Sequence, residues 1–243
     1  MRAGVWGKTA RAWETAEDSV RRASSFRYFA TGSPEIDRLL GGGYRAGRLT
    51  EVFGRSNSGK SQLAMQAALV AARGGAGCLY MDTEGAFRPE RLEEIARARG
   101  WDIVGVLERI VYVRCDSSSE QMETIRKMAA RPATASCKLV IVDTLTRNFS
   151  VELPGRSNLS SRQAALNIHL SEMARDAYLN ARGYLLTNRV TFGATRDVGI
   201  GGRTVEQLVD ASVMLARGSD GVKATLISTG ESVTVGLGTA GVD

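Results

Sequence analysis

Short apolar runs alternate along this chain with longer stretches whose apolar positions recur every three to four residues. The runs at 48 to 54 ("RLTEVFG"), 77 to 82 ("GCLYMD"), 109 to 115 ("RIVYVRC"), 138 to 143 ("KLVIVD") and 183 to 188 ("GYLLTN") are strand-like. Between them, residues 60 to 73, 89 to 99, 118 to 130 and 161 to 181 have helical spacing and length. Strand–helix alternation of this kind predicts an α/β fold with a mostly parallel sheet covered by helices on both faces. After residue 208 the pattern turns strand-rich ("VDASVMLARG", "KATLIS", "SVTVGL"), which predicts antiparallel strands added at one edge.

Residues 1 to 30 are polar, basic and dotted with aromatics, and read as an arm or linker; residues 31 to 243 read as the core. The core opens on "TGSPEIDRLLGGG", where Ser33 can cap a helix with Pro34 at its first position and Glu35 in its first turn. Gly41, Gly42 and Gly43 stop that helix. Two segments, 147 to 160 ("RNFSVELPGRSNLS") and 189 to 203 ("RVTFGATRDVGIGGR"), follow the carboxyl ends of strands and read as loops. Open α/β sheets bind ligands on that side.

The 243 residues suffice for one large domain with a well-buried core. Lys and Arg number 32 against 26 Asp and Glu, a net charge of +6, so the surface attracts polyanions; nucleic acid is the favoured partner and a solvated basic surface the plain alternative. Cys78, Cys115 and Cys137 lack C-x-x-C spacing and lie in or beside apolar runs, as reduced packing residues do. The start has no apolar signal region and no run of about 18 apolar residues occurs, so the expectation is a soluble cytoplasmic protein without membrane association.

The strongest chemical signal is "FGRSNSGKSQ", residues 53 to 62. Gly54, Gly59, Lys60 and Ser61 have the spacing G-x-x-x-x-G-K-S, and Arg55, Ser56, Asn57, Ser58 and Gln62 complete a loop whose backbone N–H groups can wrap phosphate oxygens. The loop follows a strand and opens a helix. Lys60 at that helix start opposes the helix dipole unless an anion is present. Asp143 ends the run "LVIV" and is placed to hold a water on magnesium beside Ser61; an ordinary strand-end aspartate capping a turn is the alternative. Asp82 and Glu84 end another strand, where a carboxylate can orient and deprotonate a water; an ordinary acidic loop reads equally well from spacing. Asn188 ends "YLLTN" and is either a sensor of the terminal phosphate or a turn residue. Arg156, Arg162, Arg189, Arg196 and Arg203 give the two loops a charge suited to single-strand phosphates, with Phe149 or Phe192 available to stack on bases; solvated loops are the alternative. His169, the only histidine, falls in a helical stretch and reads as structural.

"TGSPEIDRLLGGGYRAGRLTEVFGRSNSGKSQL", "YMDTEGAFRPERL", "LVIVDT", "GRSNLSSRQ" and "LLTNRV", in this order, resemble the ATPase core of the RadA/RadB recombinases of the RecA-like P-loop superfamily, from about residue 26 onward. The first phrase also fits KaiC-like ATPases; "DTEGAFRPERL" and "GRSNLSSRQ" are specific to recombinases. The resemblance implies ATP and Mg2+ as cofactors, single-stranded DNA as partner, and filaments used in recombination and repair. It implies Lys60 and Ser61 as phosphate and magnesium ligands, Glu84 as the catalytic glutamate, Asp143 as a second magnesium-shell carboxylate, Arg156 in the first DNA loop and residues 189 to 203 in the second.

The departures from the family pattern narrow this expectation. No helix-hairpin-helix domain precedes the core, as in short RadB-like paralogues, and Asn188-Arg189 stands where the family usually has Asn-Gln. The second loop is short, and "LISTGESVTVGL" lacks the Asp-Ser-Pro segment that caps a neighbour's ATP. The expectation is an accessory to a RadA-type recombinase with weak DNA-dependent ATPase activity. A non-hydrolysing ATP-bound mediator and a KaiC-like signalling ATPase are the alternatives. "WETA" (13 to 16) resembles the family's F-x-x-A segment, with Trp13 as anchor and Ala16 beneath it, for self-association or docking on a RadA-type partner; an amphipathic helix with Trp13 on its own core is the alternative.

Overall fold

The computed structural model describes residues 14–128, 130–192 and 197–243. In chain order its elements are α1 (Ala16–Ser24), β1 (Tyr28–Phe29), α2 (Pro34–Leu39), β2 (Tyr44–Arg45), β3 (Leu49–Gly54), α3 (Lys60–Arg73), β4 (Gly77–Asp82) and α4 (Pro89–Ala98). There follow β5 (Ile110–Arg114), α5 (Ser118–Met128), β6 (Cys137–Asp143), α6 (Arg147–Glu152), α7 (Leu159–Asn180), β7 (Gly183–Phe192), β8 (Asp197–Gly199) and α8 (Arg203–Leu208). The chain closes with β9 (Ala211–Arg217), β10 (Val222–Leu226), β11 (Ser232–Val235), β12 (Leu237–Gly238) and β13 (Gly241–Val242).

The main sheet runs β11-β10-β9-β3-β7-β6-β4-β5, with β8 folded back on β7. From β9 to β5 neighbouring strands are parallel, and β10 and β11 add antiparallel at the β9 edge. This is the α/β architecture that the alternating pattern predicts. Successive residues of β6 serve two cores: Leu139 and Ile141 pack with α3, whereas Val140 and Val142 pack with α7. Helix α3 is buried on nearly every side, with Ala64, Ala67, Ala68, Ala71 and Ala72 allowing close approach to the sheet and α4. The three cysteines are free and buried.

Three differences from the sequence reading have local causes. The segment 147 to 160 is not all loop, because its start folds as α6, with Asn148 donating to the Cys115 carbonyl at 3.0 Å and Phe149 buried. The segment 189 to 203 begins as strand: β7 runs past Asn188 to Phe192 and pairs with β8 in antiparallel register. Packing also starts before residue 31, since Phe26 and Phe29 are buried in the same core as α3, and β1 pairs with β2.

The described part of the arm folds on the end of α7. Thr15 caps α1 by accepting from the Asp18 N–H at 3.1 Å, and acidic Glu17 and Asp18 occupy the first turn. Tyr178 gathers this segment: its hydroxyl donates to Glu14 at 2.5 Å and lies 2.8 Å from Ser19 Oγ, Arg22 stands over its ring, and Phe26 packs edge-on at 5.8 Å. Ala16, expected beneath the Trp13 anchor of a docking segment, is the first residue of α1 and is exposed; Trp13 and Arg196 lie outside the described residues.

Phe26 tests how firmly this segment belongs to the core. Its ring lies against Gly47, where even a methyl group would collide with it. Phe26→Ala should cost about 3 kcal/mol, the usual range for emptying a buried aromatic site, seen as a lower urea midpoint.

Candidate active site

The carboxyl ends of four parallel strands lie side by side, because register pairs Asp82 with Asp143 and Phe53 with Asn188. Fully buried β3 delivers Gly54 to the start of the loop, and α3 begins at Lys60. Gly54 admits no side chain, since a Cβ there would strike the Leu215 carbonyl; Gly59 turns into α3 at φ +96°. The first turn of this 14-residue helix has neither an acidic residue nor a side-chain cap, so its N–H groups are open to an anion.

Lys60 is 8% exposed and arches over the loop, donating to the Arg55 carbonyl at 2.7 Å and reaching Ser58 Oγ at 3.4 Å. Burial pushes its pKa down, opposed by the negative charge of Asp143 and Glu84. Beside the loop lies a groove of about 640 Å³ bordered by Lys60, Ser61, Met65, Arg88, Arg91 and Leu237. Gln62 turns away from the loop, donating to the Gly238 carbonyl at 2.8 Å, while Arg55, Ser56 and Asn57 stay exposed and Ser58 is buried.

Asp143 is 1% exposed, and three hydroxyls bond it. Tyr80 donates to it at 2.7 Å, Thr187 donates to its other oxygen, and Ser61 bonds it from the start of α3. Burial raises its pKa, and the three hydroxyls oppose that rise. The Ser61–Asp143 pairing, the uncapped helix start and the side-chain-free positions at 54 and 59 fit a magnesium-bound triphosphate.

Glu84 sits in a turn built by its neighbour. Asp82 accepts backbone N–H groups of Glu84, Gly85, Ala86 and Phe87 at 2.7–3.2 Å, so one buried carboxylate fixes the whole turn. Glu84 itself accepts from Thr144 Oγ1 at 3.0 Å and from Arg189 Nη2 at 2.7 Å. The sequence pairs Asp82 and Glu84 as strand-end acids; the structure separates them into a brace and an accessible carboxylate.

Asn188 is fully buried. Its amide donates to Glu51 at 2.8 Å and the Ile200 carbonyl at 2.7 Å, and its oxygen accepts from Thr146 at 2.7 Å and the Arg189 N–H at 2.9 Å. Both donors and both acceptor sites are used, so nothing remains for a phosphate. The sensor expectation gives way to a brace joining β3, β7 and the return to α8; the neighbouring Arg189 is what reaches the site.

The loop arginines divide. Arg156 and Arg203 are exposed, whereas Arg162 is committed to the Leu153 carbonyl at 2.6 Å, tying the α6–α7 turn to α7. His169 is buried against Gln121 at 3.1 Å with its pKa driven down to about 3 by burial, a neutral core residue. Sequence reasoning missed Arg88, Arg91 and Arg217 at the groove; the first two stand in the quoted "AFRPERL", but β9's position beside β3 alone brings Arg217 there. Among the described residues no cluster of His, Cys, Asp and Glu can hold a metal alone.

Sheet order and the loop between β3 and α3 define the RecA-like P-loop fold. The Rad51 family model matches residues 22–214. Over 189 residues the chain is 37% identical to the DNA repair and recombination protein RadA of Ignicoccus hospitalis, and over 184 residues 37% identical to that of Aeropyrum pernix. Each match covers 73% of this chain and 58% of the relative, so the chain spans little more than half of their length. The chain belongs to the Rad51 family.

Two changes test the buried carboxylates. Asp82→Ala strands four N–H groups and should cost roughly 2 kcal/mol or more, read by thermal denaturation. Glu51 has its pKa raised by burial, with bonds from Asn188 and Ser212 opposing. Its folded form therefore keeps a proton that the unfolded chain releases, and that stability is lost as pH rises through the folded pKa. Glu51→Gln should raise the melting temperature at pH 7–8, leave it nearly unchanged near pH 4, and flatten the profile between.

Proposed function

We propose that this protein is an ATP-binding, DNA-interacting member of the Rad51 family that acts in homologous recombination and repair in the cytoplasm, as an accessory to a RadA-type recombinase. The carrying observation is the convergence at one sheet edge of Lys60, the Ser61–Asp143 pair and the Asp82-braced Glu84, next to the basic strand-end segments. Lys60 and the N–H groups of residues 55 to 61 would hold the phosphates, and Ser61 with Asp143 would hold magnesium. Magnesium supplies neutralisation of phosphate charge. Glu84 orients and accepts a proton from a water, and Arg156, Arg189 and Arg203, with Arg196 from the same segment, bind single-strand phosphates. Support for the DNA reading comes from the relatives' descriptions and from the exposure of Arg156 and Arg203. Assembly through the arm rests on Trp13, because Ala16 belongs to α1.

One observation favours a second reading, in which ATP orders the protein without turnover: both oxygens of Glu84 are already engaged. No helix among the described residues is long and apolar enough to cross a membrane.

Calorimetry with magnesium-ATP tests the site. Lys60→Ala should weaken binding by about 100-fold or more, as expected on removing a charge-assisted phosphate contact. Glu84→Gln should keep affinity and lose turnover. Unchanged affinity in Lys60→Ala overturns the nucleotide reading. For DNA, Arg156→Ala and Arg203→Ala should each lower the salt slope of oligothymidylate binding by about 1.

A further inference from the structure

The β7–β8 hairpin is tied to the nucleotide site at two points by opposite charges. Arg189, on β7, donates to Glu84 Oε2 at 2.7 Å. Asp197, on β8, accepts from Arg55 of the phosphate loop at 2.8 Å. Thr144 takes the other Glu84 oxygen. A carboxylate held in a charge-assisted bond is a poorer acceptor for a water's proton than a free one.

We infer that Arg189 is a positioning residue that holds the Glu84 carboxylate in an ion pair and keeps hydrolysis slow until a phosphate oxyanion draws the guanidinium away. The inference rests on Glu84 being the group that handles the attacking water. The oxyanion is that of a nucleic-acid backbone, because the nucleotide is present in every turnover and would leave no slow state to relieve.

Three features support an exchange of partners. The Arg189 side chain is 53% exposed and that of Glu84 19%, so the pair is weak enough to yield to an anion. Phosphate offers the guanidinium the same two-pronged acceptor geometry as a carboxylate, with more charge. The Arg189 backbone is meanwhile fixed, its N–H bonded to Asn188 at 2.9 Å and its carbonyl accepting from Ile200 at 2.9 Å. The long side chain can therefore swing without disturbing the register of the hairpin. Lys60 lies within the electrostatic reach of Arg189, and an anion between them relieves their mutual opposition.

The test uses the full chain with Arg189→Gln, Arg189→Lys and Glu84→Gln, and two readouts. In the first, the Arg189 side-chain NMR signal, assigned by its loss in Arg189→Gln, should shift in nucleotide-free Glu84→Gln. In the wild type it should stay near its nucleotide-free position with magnesium and a non-hydrolysable ATP analogue, and shift on further addition of oligothymidylate. No shift in Glu84→Gln, none with oligothymidylate, or a full shift with the nucleotide analogue alone overturns the inference. In the second, Arg189→Gln should raise DNA-free kcat by about two- to five-fold, the factor that a pair of this exposure carries, with KM changed by less than about two-fold. Arg189→Lys, which keeps the charge but not the forked donor, should raise kcat less than Arg189→Gln does. An unchanged or lower kcat in Arg189→Gln overturns the inference. Wild-type turnover in Glu84→Gln would instead remove Glu84 from the reaction, a separate failure that the signal in nucleotide-free protein does not depend on.

Discussion

Strands β3, β4, β6 and β7 are covered on both faces, so their side chains are spent on two cores and their backbone groups on neighbouring strands. Only the strand ends meet water. Parallel direction puts all the carboxyl ends on one edge, and each connection must leave from there before crossing a face. Gly54, Asp82, Asp143 and Asn188 are neighbours for that reason, although 134 positions separate the first from the last. A polar residue at the end of any such strand lands in a shared site without further design.

The polar groups set at this edge are costly to bury, and the structure shows how each is balanced. Asp82 is satisfied by the N–H groups of its own turn, so its charge is converted into local rigidity. Asp143 is hydrogen-bonded by neutral hydroxyls and its pKa rises with burial, which leaves it suited to a cation. Glu51 and Asn188 satisfy each other deeper in the sheet, where they fix where β7 leaves β3. Lys60 leans on a loop carbonyl. Perturbed groups of this kind cluster at functional sites, since a fold stabilised by packing alone gains little from them.

The basic segments stand in a different energetic class. Arg156 and Arg203 are exposed, and the pairs Arg189–Glu84 and Arg55–Asp197 are partly solvated; pairs of that sort contribute about 0–1 kcal/mol. Contacts so weak can be rearranged by phosphate without unfolding anything. The rigid carboxylate brace and the exchangeable arginine contacts therefore meet at Glu84, where one side chain belongs to both systems.

The order of strands and helices was legible in the sequence because burial on two faces imprints continuous apolar runs, and helices imprint their 3.6-residue period. The phosphate loop was legible because its chemistry is local: glycines, lysine and serine act within eight consecutive residues. The family resemblance likewise rested on contiguous phrases, and the Rad51 match upholds it. The tertiary structure alone decided what depends on distant partners. It folded the arm's Ala16 into a helix on Tyr178, turned Asn188 inward to Glu51, committed Arg162 to a carbonyl, brought Arg217 to the groove and paired Arg189 with Glu84 across 105 positions. Periodicity records which face of an element is buried; which atom a polar side chain meets is set by sheet register and crossover geometry, and neither leaves a pattern in the local sequence.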